Sequence, residues 1–302
     1  MTDPAFYRHW DLDFRKFRDD LKISGSPNRT RRRVLFEDAG GRIFILEEYD
    51  IRKKAAQTAQ NRILEFFRDQ QLPGITPALQ TRQGEQGITF QHSFWQVRPW
   101  VEADPPDRES LGSNTRLARQ WGDFLLALKK AAALPSMPSA HGERFTFAGY
   151  VPRLSAFTRR EMPEFYDVLT AILRRMQPFF DREPGMTAMF AHGDFHPGNV
   201  LLKNGDISGV IDWEFLGWKC AGYDLALLLG CLGMDDPEWL DGPAVRTLQD
   251  HLFRNGYMPE AAWEDLPLLM AAIRLGWFGE WVDLQDRAMA QQELEYIHFL
   301  LG

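Results

Sequence analysis

Apolar positions along this chain follow two regimes. Short β-branched and aromatic runs bounded by turn residues fill the first part, and long stripes at helical spacing fill the rest. Arg32 to Glu37 and Arg42 to Tyr49 are such runs, separated by Asp38-Ala39-Gly40-Gly41, which predicts a hairpin. Asp50 can cap a helix in which Ala55, Ala59, Ile63, Phe66 and Phe67 recur at helical spacing until Pro73-Gly74 ends it. Thr89-Phe90 and Phe94-Trp95-Gln96-Val97 predict two further strands running into Arg98-Pro99-Trp100-Val101-Glu102. Ala103-Asp104-Pro105-Pro106-Asp107 then breaks regular structure, so a division into 1–102 and 103–302 is expected. Beyond it Leu117, Trp121, Phe124, Leu125 and Leu128 form one apolar stripe, and Phe165, Val168, Leu169, Ile172, Leu173 and Met176 another; the loop Leu134 to Ser139 lies between. Val200-Leu201-Leu202 and Ile207 to Ile211 flank Asn204-Gly205, the dipeptide that best accepts the two positive φ values of a tight hairpin. The last third is helical and rich in Trp and Leu. This order predicts an α+β fold with a small β-rich part and a larger helical one.

A composition of 44% hydrophobic and 25% charged residues over 302 positions is that of a globular protein with a large core. The apolar run Leu225 to Leu232 is too short to span a bilayer, so no membrane partner is expected. Met1-Thr2-Asp3-Pro4 lacks the basic head and apolar stretch of a secretory signal, and the expected place is the cytoplasm. Cys220 and Cys231 form neither a disulfide framework nor a zinc spacing and are expected to be reduced packing residues. A net charge of −7 argues against nucleic acid as a partner, because a phosphate backbone demands a basic surface. The charge is uneven. Residues 235 to 302 hold thirteen acids against four arginines, which is −9 and leaves +2 for the remainder.

Candidate chemistry concentrates in Ala191-His192-Gly193-Asp194-Phe195-His196-Pro197-Gly198-Asn199, followed by Asp212 in Val210-Ile211-Asp212-Trp213-Glu214. Moving a phosphoryl group requires a carboxylate near the attacking hydroxyl and oxygen ligands that hold Mg²⁺ against a triphosphate. Developing charge, not covalent bonding to protein, is the main problem there. His192, Asp194 and Asn199 fall at the spacing of a kinase catalytic loop, and the predicted hairpin returns Asp212 to Asn199. His192 and His196 stand four apart, which on a helix would suit a metal. Gly193, Pro197 and Gly198 disfavour a helix there, and no Glu adjoins the first His as a zinc hydrolase requires.

On these residues the chain resembles the aminoglycoside phosphotransferase and choline kinase superfamily, small-molecule kinases with a protein-kinase-like fold. His192 to Asn199 matches that family's catalytic loop. Asp212-Trp213-Glu214 is similar to its metal-binding segment, and Gly222-Tyr223-Asp224-Leu225-Ala226 to the segment that follows. The resemblance implies a two-lobed fold, with nucleotide bound by 1–102 and the catalytic loop and acceptor-binding helices in 103–302. It implies an ATP- and Mg²⁺-dependent enzyme that moves the γ-phosphoryl group to a hydroxyl of a small molecule. Asp194 then accepts or orients the hydroxyl proton, Asn199 and Asp212 ligate Mg²⁺, and His192, His196, Glu214 and Asp224 brace the site.

On the nucleotide side, Gly25, Ser26, Asn28 and Arg29 lie in a turn suited to phosphates, and the hinge at Arg98, Trp100 and Val101 would offer backbone hydrogen bonds to adenine. One departure stands out. Glu47 occupies the strand position where kinases carry lysine, and Gln60 that of the helix glutamate. A carboxylate there repels triphosphate, so either the strand is offset and a base such as Arg29, Arg31, Arg33 or Lys53 takes over, or nucleotide binding is weak and the chain is a catalytically weak nucleotide-binding regulator. Arg31-Arg32-Arg33 reads equally as a solvated strand end. On the acceptor side, helical spacing puts Trp277, Glu280, Trp281 and Leu284 on one face. Two indoles and a carboxylate suit an amine, and the same spacing suits a core stripe. The acidic balance after residue 235 favours a cationic acceptor; the residues carry no sign of oligomeric state.

Overall fold

The structure is a computed structural model and describes residues 4–23, 30–139 and 143–302. The chain forms two compact units. The smaller comprises Met1–Pro106, Ala131–His141 and Gly198–Glu214; the larger comprises Asp107–Lys130, Gly142–Pro197 and Phe215–Gly302.

The smaller unit is built on a five-stranded antiparallel sheet of β1 (Phe14–Phe17), β2 (Arg32–Asp38), β3 (Ile43–Asp50), β4 (Ile88–Phe90) and β5 (Ser93–Pro99), in the order β1-β2-β3-β5-β4. Strand alternation gives the sheet two different faces. One carries Phe36, Phe44, Leu46, Trp95 and Val97, packed with Phe6, Tyr7 and Trp10 of the 3₁₀ segment Pro4–Trp10 into an aromatic core. Tyr7 stacks on Phe14 at 4.7 Å, and Phe6 meets Trp95 edge-on at 5.6 Å. The other face carries Arg33, Glu47, Tyr49 and Arg98, polar groups that require partners or a ligand.

Helix α1 (Lys54–Asp69) turns Gln57, Asn61, Ile63, Leu64 and Phe67 inward. Ala55 is exposed and Ala59 half-buried, so the inward face is rotated from the alanine stripe read in the sequence. The inward face carries a tertiary hydrogen-bond pair: Asn61 Nδ2 donates to Ala78 O at 3.2 Å and Asn61 Oδ1 accepts from Ala78 N at 2.6 Å. Asp50 is a cap, but of the 3₁₀ turn Ile51–Lys53 that precedes α1, where its carboxylate accepts from Arg52 N at 2.9 Å.

The same unit contains the hairpin of β7 (Val200–Lys203) and β8 (Asp206–Val210). Asn204 and Gly205 turn it with φ of 54° and 80°, the paired positive values that the dipeptide predicted. Val210 N donates to Gly74 O at 2.9 Å and Asp104 N to Leu202 O at 2.7 Å, tying the hairpin into the unit.

The larger unit pairs β6 (Ala188–Ala191) antiparallel with β9 (Gly217–Cys220) and is otherwise helical. Its helices are α2 (Thr115–Ala132), α3 (Phe147–Glu161), α4 (Tyr166–Arg182), α5 (Tyr223–Asp235), α6 (Pro243–Arg254), α7 (Glu260–Glu264), α8 (Leu266–Asp283) and α9 (Arg287–Leu301). Helix α8 packs against α5 and α9. Helices α5 and α8 are apolar on nearly all sides, as central helices must be. The α2 stripe from Leu117 to Leu128 is buried as expected. In α4, Leu169, Ile172, Leu173 and Met176 face inward, whereas Val168 is 51% exposed because its neighbour Leu169 takes the core direction. Cys220 and Cys231 are free thiols. Among the described residues no helix is long and apolar enough to cross a membrane.

Candidate active site

In the larger unit, strand β6 delivers the chain to His192, and the next residue forces a sharp turn. Gly193 has φ 86°, and a Cβ there would lie 2.2 Å from the Phe215 carbonyl oxygen. Only glycine fits that position. Asp224, in the first turn of α5, accepts hydrogen bonds from the backbone N–H groups of His192 (2.7 Å) and Gly193 (2.8 Å). His192 is fully buried, and its Nδ1 accepts the N–H of Asp194 at 3.1 Å. Phe195 stacks on Phe124 at 5.1 Å. These contacts fix both backbone neighbours of Asp194, whose carboxylate lies 3.8 Å from His196 Nε2. The two histidines do not lie on one helix face.

Burial raises the pKa of Asp224 from the ordinary 3.8 to about 6, although the two backbone N–H groups and Lys219 oppose the shift. Burial likewise lowers Lys219 to about 8 against the pull of Asp224. Lys219 Nζ donates to Phe215 O at 2.5 Å and sits 5.3 Å from the Tyr223 ring centroid. The sequence carried no signal that Lys219 is buried.

Helix α8 supplies the aromatic residues expected on the acceptor side. Trp277 meets His196 edge-on at 5.9 Å, so this helix borders the loop that carries His192, Asp194 and His196 within the larger unit. The guanidinium of Arg274 lies 5.2 Å from the Trp277 ring, a cation–π contact already made by the protein itself. Arg274 also forms a buried ion pair with Glu293, which accepts a hydrogen bond from Trp281 Nε1 at 3.3 Å. Trp277, Glu280 and Trp281 are half-buried and Leu284 is 50% exposed, so the face is part core and part surface.

The unit division falls inside the motif, between Pro197 and Gly198, and Asn199 and Asp212 belong to the smaller unit. There Ile211 N donates to Asn199 O at 2.9 Å, so the hairpin does bring residue 211 back against residue 199. Asn199 is buried. Asp212 has φ 63°, a left-handed conformation uncommon for a residue with a side chain and found at functional turns. Trp213 anchors the turn: its indole donates to Val210 O at 2.8 Å and its ring meets Phe67 at 6.0 Å. Glu214 accepts from Lys53 Nζ at 3.0 Å.

A cavity in the smaller unit runs from the polar sheet face to this turn, lined by Arg33, Glu47, Tyr49, Gln57, Gln60, Arg98, Trp100, Val101, Asp212 and Glu214 among others. Gly25, Ser26, Asn28 and Arg29 lie outside the described residues. Trp100 N already donates to Ile43 O at 2.9 Å, and Arg98 lies within β5 opposite Ile45. Arg98 therefore gives the cavity its side chain rather than a hinge backbone group. Glu47 is not an isolated carboxylate. Arg98 Nε lies 2.9 Å from one of its oxygens and Arg33 Nε 3.6 Å from the other. Burial disfavours the charge on Arg98, yet Glu47 outweighs it and holds the guanidinium's pKa above its ordinary value. Burial, reinforced by Glu47, pushes the Tyr49 phenol well above the usual range.

The model of the phosphotransferase enzyme family, APH, matches residues 25–269. Solved structures of similar fold include amicoumacin kinase hAmiN in complex with AMP-PNP, Ca²⁺ and Ami, at 13% identity and a TM-score of 0.69 over 95% of this chain and 90% of that one. A thermostable mutant of aminoglycoside phosphotransferase APH(4)-Ia, in ternary complex with ADP and hygromycin B, has 13% identity and a TM-score of 0.67 over 100% and 98%. An aminoglycoside phosphotransferase from Alicyclobacillus acidocaldarius has 14% identity and a TM-score of 0.64 over 99% and 95%. No curated protein matches the chain.

Proposed function

We propose, for a chain that belongs to the phosphotransferase enzyme family, that it transfers the γ-phosphoryl group of ATP, with Mg²⁺, to a hydroxyl of a small molecule. The observation that carries this reading is the fixed loop around Asp194, where Asp224 accepts two backbone N–H groups and His192 a third. A carboxylate on so constrained a backbone is preorganised to orient one hydroxyl. The acceptor oxygen forms a bond to the γ-phosphorus as the bond to the bridging oxygen of ADP breaks. The hydroxyl proton passes to Asp194.

Asn199 and Asp212 form a pair of hard oxygen donors and fit Mg²⁺, which takes few protein ligands and completes its shell with water and phosphate oxygens. When bound, the ion neutralises charge on the phosphates. Asp212 sits on a strained turn that fixes its direction, and Glu214 with Lys53 holds the next residues. His192, His196 and Asp224 act as positioning residues.

Nucleotide binding is assigned to 1–102, with Trp100 and Val101 against the base and Arg98 deeper in the cavity; the phosphate role expected of Gly25, Ser26, Asn28 and Arg29 falls outside the described residues. The acceptor is assigned to 103–302, beside Trp277, Glu280 and Trp281, with Glu280 as partner for an acceptor amine. Structures of like fold that hold AMP-PNP with Ami, or ADP with hygromycin B, support the nucleotide and small-molecule parts of this assignment.

Glu47 and Gln60 motivate one rival, a nucleotide-binding regulator without turnover. The two separate in a single assay: ADP release from MgATP across a panel of amine-bearing hydroxyl compounds. Acceptor-dependent ADP release that falls by about 10²–10⁴ in Asp194→Asn, with MgATP binding retained, is the expected result. MgATP binding with no acceptor-dependent release across the panel favours the regulator, and unchanged turnover in Asp194→Asn removes Asp194 from its role.

A further inference from the structure

The polar sheet face of the smaller unit holds a carboxylate where a triphosphate needs a cation, and the flanking strands supply the missing charge. Glu47 on β3 stands directly opposite Arg33 on β2 and Gln96 on β5. Arg98 lies two residues farther along β5, on the same face. Each arginine takes a different carboxylate oxygen: Arg33 Nε lies 3.6 Å from Oε1 and Arg98 Nε 2.9 Å from Oε2. The three side chains are 18%, 8% and 14% exposed in the order Arg33, Glu47, Arg98, so this is an interior cluster. Arg98 is also oriented by Asn61 Oδ1 at 3.4 Å and Gln96 Oε1 at 3.3 Å.

Two guanidinium groups and one carboxylate give the cluster a single net positive charge, in a cavity whose other end carries Asp212 and Glu214. The low dielectric of such a site strengthens the attraction of that charge for a polyanion. A guanidinium has five N–H donors in a planar fork, so one arginine can bond a carboxylate and a phosphate oxygen at once. Among the described residues, two further candidate bases are paired with other carboxylates. Arg31 pairs with Asp50 at 2.6 Å, and Lys53 pairs with Glu214 at 3.0 Å.

We propose that Arg33 and Arg98, aimed by Glu47, are the phosphate-binding element of this cavity, with Glu47 as positioning residue and Arg33 as the cation that meets the phosphates. The kinase arrangement of a strand lysine and a helix glutamate is thus inverted: the carboxylate is on the central strand and the cations are on its neighbours. The inference rests on reading the cavity as the nucleotide site.

The test compares ATP with adenosine by isothermal titration calorimetry on the full chain with Mg²⁺. The ratio of the two dissociation constants isolates what the phosphates contribute. Arg33→Gln is expected to shrink that ratio by about tenfold or more, a loss of about 1.4 kcal/mol, with adenosine affinity unchanged within about twofold. Arg33→Lys should restore part of the ratio, and Glu47→Gln should shrink it although Glu47 touches no phosphate. If Glu47→Gln does not fold, the Arg33 pair decides. An unchanged ratio in folded Arg33→Gln overturns the proposal, and so does a parallel loss of adenosine and ATP affinity, which marks a role in cavity shape alone. Wild-type protein that binds neither compound instead overturns the nucleotide reading itself.

Discussion

At Gly193 the backbone has no alternative: φ is 86° and the space a Cβ needs is held by the Phe215 carbonyl. Gly193→Ala therefore strains the backbone and displaces the Asp194 turn together. We expect a loss of about 1–3 kcal/mol of stability and a larger fractional loss of turnover than of MgATP affinity, read by denaturant titration and steady-state kinetics. Equal stability and turnover would mean that the turn tolerates a side chain. Asp224 gives a pH signature. Its pKa is raised from 3.8 to about 6 by burial, so the folded chain holds the proton more tightly than the unfolded chain. Its contribution to stability is accordingly full below about pH 4 and lost as pH rises through about 6, a change of about 3 kcal/mol across that window. Asp224→Asn should abolish this component, and at pH 7 it loses one of two buried acceptors, costing about 1–3 kcal/mol. Matched stability curves from pH 4 to 7 check both statements.

Among the elements, the sheet shows how register decides chemistry. Residues of β3 alternate between an aromatic core and a polar cavity, and the pairing of β2 and β5 with β3 determines which charges meet Glu47. Restoring a lysine by Glu47→Lys would bury three cations on one face. Breaking a buried pair this way costs about 3–5 kcal/mol, so urea unfolding should show a large loss, and parental stability would show that the cluster does not form. The β7–β8 hairpin is the opposite case. Its turn is written in Asn204-Gly205, whereas its closure by Ile211 N on Asn199 O also needs the one-residue register shift between Leu201 and Leu202.

For the molecule as a whole, ligand binding to the folded state raises stability by mass action. MgATP at 100 times its dissociation constant should add about 2.7 kcal/mol. Asp212→Ala should remove the Mg²⁺-dependent part of that gain, since water alone does not position the ion against the phosphates. A thermal shift with MgATP equal to that of the parent protein would contradict the assignment of Asp212.

The amino-acid sequence determined by itself whatever depends on neighbours along the chain. The hairpin at 200–210, the strands around 32–38 and 43–50, the α2 stripe, and the spacing of His192, Asp194, Asn199 and Asp212 all follow from local φ/ψ preferences, turn chemistry and periodicity. The family resemblance rests on that same local spacing, and residues 25–269 match the family. Short or marginal signals did not survive alone. The four-residue edge strand Phe14–Phe17 has a half-buried pattern too brief to read, and α1 turns Asn61 inward to Ala78 while Ala55 stays exposed. Tertiary structure alone decided the electrostatics. The sequence showed Glu47 as a defect, but cross-strand register set Arg33 and Arg98 upon it. Asp224 reached the loop residues 31 and 32 positions before it, and Lys219 became buried against Phe215 O and the Tyr223 ring. A side chain's charge is written in the chain, whereas its pKa and partners depend on what folding places within a few ångströms, and that proximity has no period from which to be read.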